Sequence, residues 1–402
     1  MAEATQTKTT IAIDPVTRIE GHLKAEVVVE NGKVVDAKLT GGMYRGFESI
    51  LRGRHPRDAV QIVQRICGVC PTAHATAASI ALEKASGTAV PSNGRATRNL
   101  ILGANYLQSH ILHFYHLAGQ DFIQGPDTAP FMPRYAKPDL RLPPAINAVG
   151  VDQYVEALEV RAVCHEMVAL FGGRMPHVHG ILAGGAAEIP TKEKLVEYAA
   201  RFKKVRKFVE EKYLPVVYLV GSQYKDLGAF GQGYRNALCV GVFPLDDEGK
   251  EFVFKAGAYQ DGKDMPFDVK RVTEDVKFSW FADSTSGKPF TKGENVLEVD
   301  KKGAYSFVKA PLYNGKPMEV GPLARMWVNN KPISPIGQKL FKEYFGLDVK
   351  NFRDMGEDLA FSLLGRHVAR AEESYLMLDV VERFLKAVSY THLRAHETSQ
   401  DL

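Results

Sequence analysis

The chain has 402 residues, of which 45% are hydrophobic, 10% aromatic and 24% charged. These values are typical of a folded globular protein and exclude a disordered, collagen-like or low-complexity chain. The balance of 51 basic against 47 acidic residues gives a net charge of +4. The basic stretch at 201–207 is interleaved with apolar positions, a pattern typical of the solvated face of a helix. We therefore expect no nucleic-acid partner. No apolar run reaches the length of a membrane span, and the N-terminus lacks the basic head and apolar stretch of a signal peptide.

The apolar pattern predicts an α+β chain that is mainly α, a long-helix bundle with an N-terminal antiparallel β element. Residues 11–40 are predicted as β structure, with a hairpin turn at Asn31-Gly32 because both residues tolerate positive φ. The helices are predicted at 56–66, 72–85, 96–123, 151–171, 191–214, 333–345 and 357–388. A Pro- and Gly-rich crossover loop spans 125–144, and 230–325 is an irregular, partly β insertion. We expect residues 1–388 to form a single intertwined domain, and residues 389–402, which are polar and aperiodic, to be a non-native or disordered tail.

The four cysteines exclude a disulfide scaffold, and their positions indicate where chemistry could occur. Cys164 and Cys239 stand alone in apolar surroundings, where a buried inert thiol is expected. Cys67 and Cys70 form a C-x-x-C pair between two predicted helices, and thiolates are soft ligands that suit nickel, zinc, copper(I) or iron. By itself the pair is equally compatible with a redox dithiol, half of a zinc site or two buried thiols.

Two neighbouring side chains would support a metal at this pair. Arg65 would favour the ionised form of the thiols. His74 lies one turn along the following helix, where it could hydrogen-bond a coordinated sulfur.

In its wider context, the motif Arg65-x-Cys-Gly-x-Cys-x-x-x-His resembles the first metal-binding motif of the nickel–iron hydrogenase large subunits. Collinear stretches from about residue 10 to 388 carry the rest of the resemblance. They are residues 14–22 (DPVTRIEGH), 44–58, 109–115, 176–185, 309–325 and 365–370.

The resemblance implies a role for each matching residue. Cys67 would be a terminal thiolate on nickel, and Cys70 would bridge nickel and an iron that carries carbon monoxide and cyanide ligands. Glu20 would take the proton away from the metal-bound thiolate, and Glu48 would ligate a structural magnesium. The implied reaction is reversible heterolytic cleavage of dihydrogen. Judged without this context, both glutamates would be interpreted as surface carboxylates.

The resemblance also implies partners. The chain has too few cysteines for electron-relay clusters, so electrons would leave through an iron–sulfur small subunit, which alone holds the clusters, and maturation factors would build the centre. The compartment would be cytoplasmic, or periplasmic and membrane-associated if the chain is exported with a small subunit, with contact to a membrane only through partners.

One departure from the family bears on activity. The family closes its site with a second C-x-x-C, followed by a histidine, near the C-terminus, whereas here no cysteine follows Cys239. We therefore expect a C-terminally truncated chain that is inactive as written. Three alternatives remain: a dihydrogen sensor on the same scaffold, a subunit like the quinone-site subunit of complex I, and a plain zinc or redox C-x-x-C protein. The Cys67–Cys70 pair argues against the second of these.

Several histidines could suggest a second metal site. His110, His113 and His116 occur at i, i+3 and i+6 of the predicted helix 96–123, so the third rotates away from the first and core or interface positions are favoured. His177 and His179, in a Pro- and Gly-rich loop, are expected to hold that loop or face a partner.

Overall fold

The computed structural model describes residues 8–134, 139–247 and 249–397, with residues 389–397 as backbone only. The chain divides into two compact units. Unit 1 consists of Met1–Arg52 and Asp268–Met318, and unit 2 of Gly53–Phe267 and Glu319–Leu402.

The described residues form short strands and long helices, which confirms the α+β class. The strands are β1 (Lys8–Val16), β2 (Leu23–Glu30), β3 (Lys33–Gly41), β4 (Ile181–Leu182), β5 (Gly185–Ala186), β6 (Ala237–Cys239), β7 (Val242–Pro244), β8 (Phe252–Phe254), β9 (Gly257–Gln260), β10 (Lys263–Met265), β11 (Val272–Asp275), β12 (Ala310–Tyr313) and β13 (Lys316–Pro317). The helices are α1 (Phe47–Leu51), α2 (Asp58–Val63), α3 (Pro71–Ser86), α4 (Ser92–Leu112), α5 (Pro144–Gly172), α6 (Lys192–Phe208), α7 (Leu214–Gln223), α8 (Pro322–Val328), α9 (Pro335–Phe345), α10 (Glu357–Ala360) and α11 (Leu363–Glu397).

Unit 1 begins with an antiparallel sheet in the order β1-β2-β3. Asn31 (φ 51°) and Gly32 (φ 76°) connect β2 to β3 in the left-handed region, as the Asn-Gly signal predicts. A second sheet, β11-β12-β13, comes from the later part of the unit. Tyr44 stacks on Phe307, with ring centroids 5.5 Å apart, and this aromatic pair belongs to the packing of unit 1.

Unit 2 is built around α4, which packs against α5 and α11. Leu100, Ala104, Leu107 and Ile111 are all fully buried at the spacing of one helix face. A Cβ on Gly103 would lie 2.7 Å from Val381 Cγ2 of α11, so glycine at this position lets the two helices approach closely. A π-helical segment, His113–Ala118, continues α4.

Helices are found in all the predicted segments, but several ends differ. Helix α5 begins at Pro144 and not at 151, α7 continues the predicted helix 191–214 to Gln223, and α8 begins inside the predicted insertion 230–325. The last predicted helix differs in two ways. Phe361 and Ser362 separate α10 from α11, because the Ser362 hydroxyl accepts a hydrogen bond from Gly365 N (3.1 Å) and so begins a new helix there. The backbone of α11 then continues beyond Val388 to Glu397, and the remainder of the predicted tail, 398–402, lies outside the described residues. Among the helices described, none combines the length and apolar character needed to cross a membrane.

Candidate metal centre

The C-x-x-C pair lies in a short loop between two helices of unit 2. Helix α2 passes into a 3₁₀ turn at Gln64–Ile66, and Cys67 follows with extended backbone (φ −144°, ψ 141°). Cys70 is the N-cap of α3, and Pro71 occupies the first turn, a position that suits proline because the missing N–H has no partner in the helix. The loop therefore holds both thiols at the N-terminus of a helix of 16 residues.

The backbone of the loop turns N–H groups towards one sulfur. Cys67 Sγ accepts from Val69 N at 3.3 Å and from Cys70 N at 3.2 Å, and both cysteines are half-buried. N–H donors and the positive end of the α3 dipole both favour negative charge on sulfur. The local structure thus stabilises the thiolate, the form that binds metal.

The neighbouring candidates of unit 2 lie on either side of the loop. His74 Nε2 is 3.7 Å from Cys70 Sγ, and burial lowers the pKa of His74, so the ring is neutral at neutral pH and has one N–H to donate. Arg65 is exposed, and its Nη1 donates to the carbonyl oxygen of Gln61 at 2.6 Å.

The two candidate carboxylates belong to unit 1. Glu20 is exposed and lies between β1 and β2. Glu48 is exposed in the first turn of α1. The structure thus collects Cys67, Cys70, His74 and Arg65 in one segment of unit 2, whereas both glutamates lie on the other unit.

Two fully buried glutamines, neither of them predicted from the sequence, support the loop. Gln64 Nε2 donates to the carbonyl oxygens of Val60 (3.0 Å) and Val178 (2.9 Å), which attaches the 3₁₀ turn before Cys67 to the 176–185 segment. Gln108, on α4, donates to the carbonyl oxygen of Val69 inside the cysteine loop. The signal that could have found them is a long polar side chain at a position of the helix face that the apolar period buries.

Of the histidines of α4 and its continuation, His110 is buried, and His113 and His116 are half-buried. His110 is 6% exposed, and its Nε2 lies 2.7 Å from Glu373 Oε2 of α11. Arg325 of α8 donates to both oxygens of the same carboxylate. His110 therefore belongs to a buried ionic cluster, consistent with the core position favoured by its spacing.

The chemistry of the donor atoms in the loop shows whether these residues suit a metal ion. Cys67 and Cys70 provide two soft sulfur donors with the negative charge stabilised, which suits nickel and iron. Within the described part of the chain, no group of three or more His, Cys, Asp or Glu side chains forms a complete metal cage. The residues present therefore fit as two of the ligands of a thiolate metal centre.

Comparison with known proteins identifies the class of such a centre. The chain matches the family described as nickel-dependent hydrogenase over residues 45–125 and 122–400, and residues 10–40 match one described as HoxL-like. The first match continues past Val388, where the motifs quoted above end. The chain therefore belongs to the nickel-dependent hydrogenase large-subunit family, oxidoreductases that oxidise or produce dihydrogen at a nickel–iron centre.

Individual relatives agree with the family. The chain is 60% identical over 390 residues to the periplasmic [NiFeSe] hydrogenase large subunit of Desulfomicrobium baculatum, covering 95% of this chain and 76% of that one. It is 33% identical to the hydrogenase-2 large chain of Escherichia coli K12, covering 79% and 67%. The solved structure of the reduced Ni-Fe-Se hydrogenase of Desulfovibrio vulgaris Hildenborough superposes with a TM-score of 0.92 at 70% identity, covering 95% of this chain and 79% of that one. Since such relatives are named large subunits, a small-subunit partner is implied.

Proposed function

We propose that Cys67 and Cys70 hold the nickel–iron centre of a hydrogenase that reversibly cleaves dihydrogen to protons and electrons. The observation that carries the proposal is the loop itself, where two half-buried thiols lie at the N-terminus of α3 and two backbone N–H groups point at one sulfur. When bound, the centre supplies the redox and Lewis-acid chemistry that a non-polar, very weakly acidic substrate requires. Cys67 is proposed as a terminal ligand of nickel and Cys70 as the bridge to iron.

The side chains around the loop orient the sulfurs. His74 lies within hydrogen-bond reach of Cys70 Sγ, and a neutral imidazole that donates to sulfur would fix the direction of the sulfur lone pairs without adding charge. Arg65, two residues before Cys67, adds positive charge to the segment and favours the thiolate form.

Glu20 is proposed as the carboxylate that receives the proton at one of its side-chain oxygens. A carboxylate can hold and pass a proton in either direction, as a reversible reaction requires. Replacing Glu20 by Gln should abolish dihydrogen turnover but leave the nickel content unchanged. Loss of nickel in Glu20→Gln would instead indicate a structural role.

The remaining metal chemistry is also proposed by analogy with the family. Glu48 would ligate magnesium through its carboxylate oxygen, which suits a hard cation, and iron would carry carbon monoxide and cyanide. The names of two relatives include selenium, and we propose that any selenium here occupies a position other than 67 and 70, which are cysteines in the sequence.

The partner is proposed to be an iron–sulfur small subunit that removes the electrons, and maturation factors would assemble the centre. The periplasmic relative from Desulfomicrobium baculatum favours a periplasmic location reached together with the small subunit. Because no cysteine follows Cys239 in the 402 residues, we propose that this segment alone supplies too few thiolates to form an active centre.

The proposal is tested by metal analysis of the natural gene product, co-expressed with its small subunit and maturation factors. Nickel and iron should be present in the wild type and lost in Cys67→Ser and Cys70→Ser, because each change removes a soft ligand. Cys164→Ala is the matched control, since Cys164 is a fully buried thiol of the same unit. Zinc without nickel and iron in the wild type, or full nickel in Cys67→Ser, would contradict the proposal.

A further inference from the structure

We propose that Gln108 is a positioning residue, which acts through the Val69–Cys70 peptide to set the orientation of the thiol of Cys67. The inference rests on the proposed function of the cysteine pair, and it identifies a residue on α4, far along the sequence, that controls the geometry of the loop.

The amide of Gln108 connects the loop to α5. It is fully buried, and its Nε2 donates to the carbonyl oxygen of Val69 at 3.0 Å. Its Oε1 lies 3.3 Å from Arg161 Nε and 3.3 Å from His165 Nε2. Both polar ends of the side chain therefore have partners.

These partners allow the amide only one orientation. A guanidinium has donors and no acceptor, so the oxygen of Gln108 must face Arg161 and its NH₂ group must face the loop. His165 then donates from Nε2. Burial, followed by the nearby Arg161 charge, lowers the pKa of His165, which is consistent with a neutral ring that carries its proton on that nitrogen. Arg161 and His165 thus fix the donor of Gln108 on the carbonyl of Val69.

The hydrogen bond from Gln108 affects the sulfur of Cys67 because the Val69–Cys70 peptide unit is rigid. The carbonyl of Val69 and the N–H of Cys70 belong to the same planar group and point in opposite directions. Gln108 holds the carbonyl end, and the N–H end donates to Cys67 Sγ at 3.2 Å. If the carbonyl is released, the peptide can rotate and the N–H leaves the sulfur, so the hydrogen bond of Gln108 maintains the one to Cys67.

The test measures alkylation of the individual cysteines by iodoacetamide in the metal-free, folded full chain, resolved by peptide mass spectrometry. Gln108→Leu removes the amide, whereas Gln108→Glu keeps the acceptor for Arg161 and His165 but places an acceptor oxygen against the carbonyl of Val69. The matched control is Asn99→Leu, because Asn99 is a buried amide of the same helix that donates to a backbone carbonyl, that of Pro244, at 3.0 Å.

We expect both Gln108 variants to alkylate at Cys67 about two- to threefold more slowly than the wild type at neutral pH. Losing one N–H donor to sulfur, a hydrogen bond of about 1 kcal/mol, lowers the thiolate fraction about fivefold. The higher nucleophilicity of the thiolate that remains offsets about half of this effect on a logarithmic scale. Asn99→Leu should leave the Cys67 rate unchanged, and the buried Cys164 should stay unreactive in every variant. A rate at Cys67 that is unchanged or faster in the Gln108 variants, or that falls equally in Asn99→Leu, would overturn the inference, as would alkylation of Cys164. Because no nickel is present, this result is independent of the nickel analysis of Cys67→Ser, which tests the proposed function itself.

Discussion

The ionic cluster in the core of unit 2 allows a quantitative prediction for Glu373→Gln. The carboxylate of Glu373 is fully buried. It accepts from Arg325 Nε at 2.5 Å and Nη2 at 2.7 Å, and it lies 2.7 Å from His110 Nε2. The substitution keeps the shape of the side chain but removes the charge that compensates the guanidinium of Arg325, whose side chain is only 13% exposed.

The structure supports two estimates of the loss. Burial alone would raise the pKa of Glu373, but the Arg325 charge outweighs it and holds the pKa at about 2. A carboxyl held about two pKa units below its unfolded value contributes about 3 kcal/mol at neutral pH. Breaking one side of a buried ion pair costs roughly 3–5 kcal/mol. We therefore expect Glu373→Gln to lower the free energy of unfolding by about 3 kcal/mol.

The measurement is urea unfolding at pH 7, followed by circular dichroism and tryptophan fluorescence. Glu319→Gln is the matched control, because Glu319 forms the same two-oxygen pair with Arg366 of α11 at 2.7 and 2.8 Å, with both side chains partly exposed at 26% and 29%. Solvent screens such a pair, so its loss should cost less than about 1 kcal/mol. Equal losses in the two variants would refute the reasoning that burial sets the magnitude.

The same pair predicts a pH dependence. The pKa of Glu373 is lower in the folded state than the value of about 4.3 in the unfolded chain, so its contribution is complete above that value and is lost as pH falls from about 4.3 towards 2. Glu373→Gln should remove this part of the acid sensitivity, and an unchanged acid transition in the variant would contradict the assignment.

Two further substitutions test the packing of α11. Burial outweighs the hydrogen bonds from Tyr218 and Ser334 and raises the pKa of Glu372 to about 7. Stability should therefore fall by about 4 kcal/mol as pH rises from about 4.3 through 7, and stay level well above that. Urea titrations at several pH values should show this slope in the wild type and lose it in Glu372→Gln. A Cβ on Gly365 would lie 2.1 Å from a backbone carbonyl oxygen, so Gly365→Ala should lower the thermal midpoint by several degrees. The control is Gly221→Ala, whose Cβ would make only ordinary contact at 3.6 Å, so this variant should be neutral or slightly stabilising. Equal thermal midpoints in the two alanine variants would show that α11 shifts to relieve the close contact at residue 365.

The sequence alone determined the features that depend on neighbouring residues. The Asn31-Gly32 turn, the end of α3 at Gly87 (φ 68°) and the placement of the cysteine pair at a helix start follow from local backbone preferences, because positive φ and the missing N–H of proline restrict the chain within a few residues. The motifs around Cys67 and Cys70 also indicated the family, which comparison with relatives confirmed.

Only the tertiary structure decided which distant polar groups meet. Nothing local to Gln108 specifies that its amide reaches Val69, or that Glu373 rather than Glu372 pairs with Arg325, since adjacent residues of a helix face different neighbours and the partners come from other elements. The break at Ser362 likewise depends on whether its hydroxyl caps a helix or faces solvent, a choice that propensity leaves open. Contacts between residues far apart in the sequence are selected by the packing of whole helices against one another, and a pattern read along one segment carries no information about the segment that will cover it.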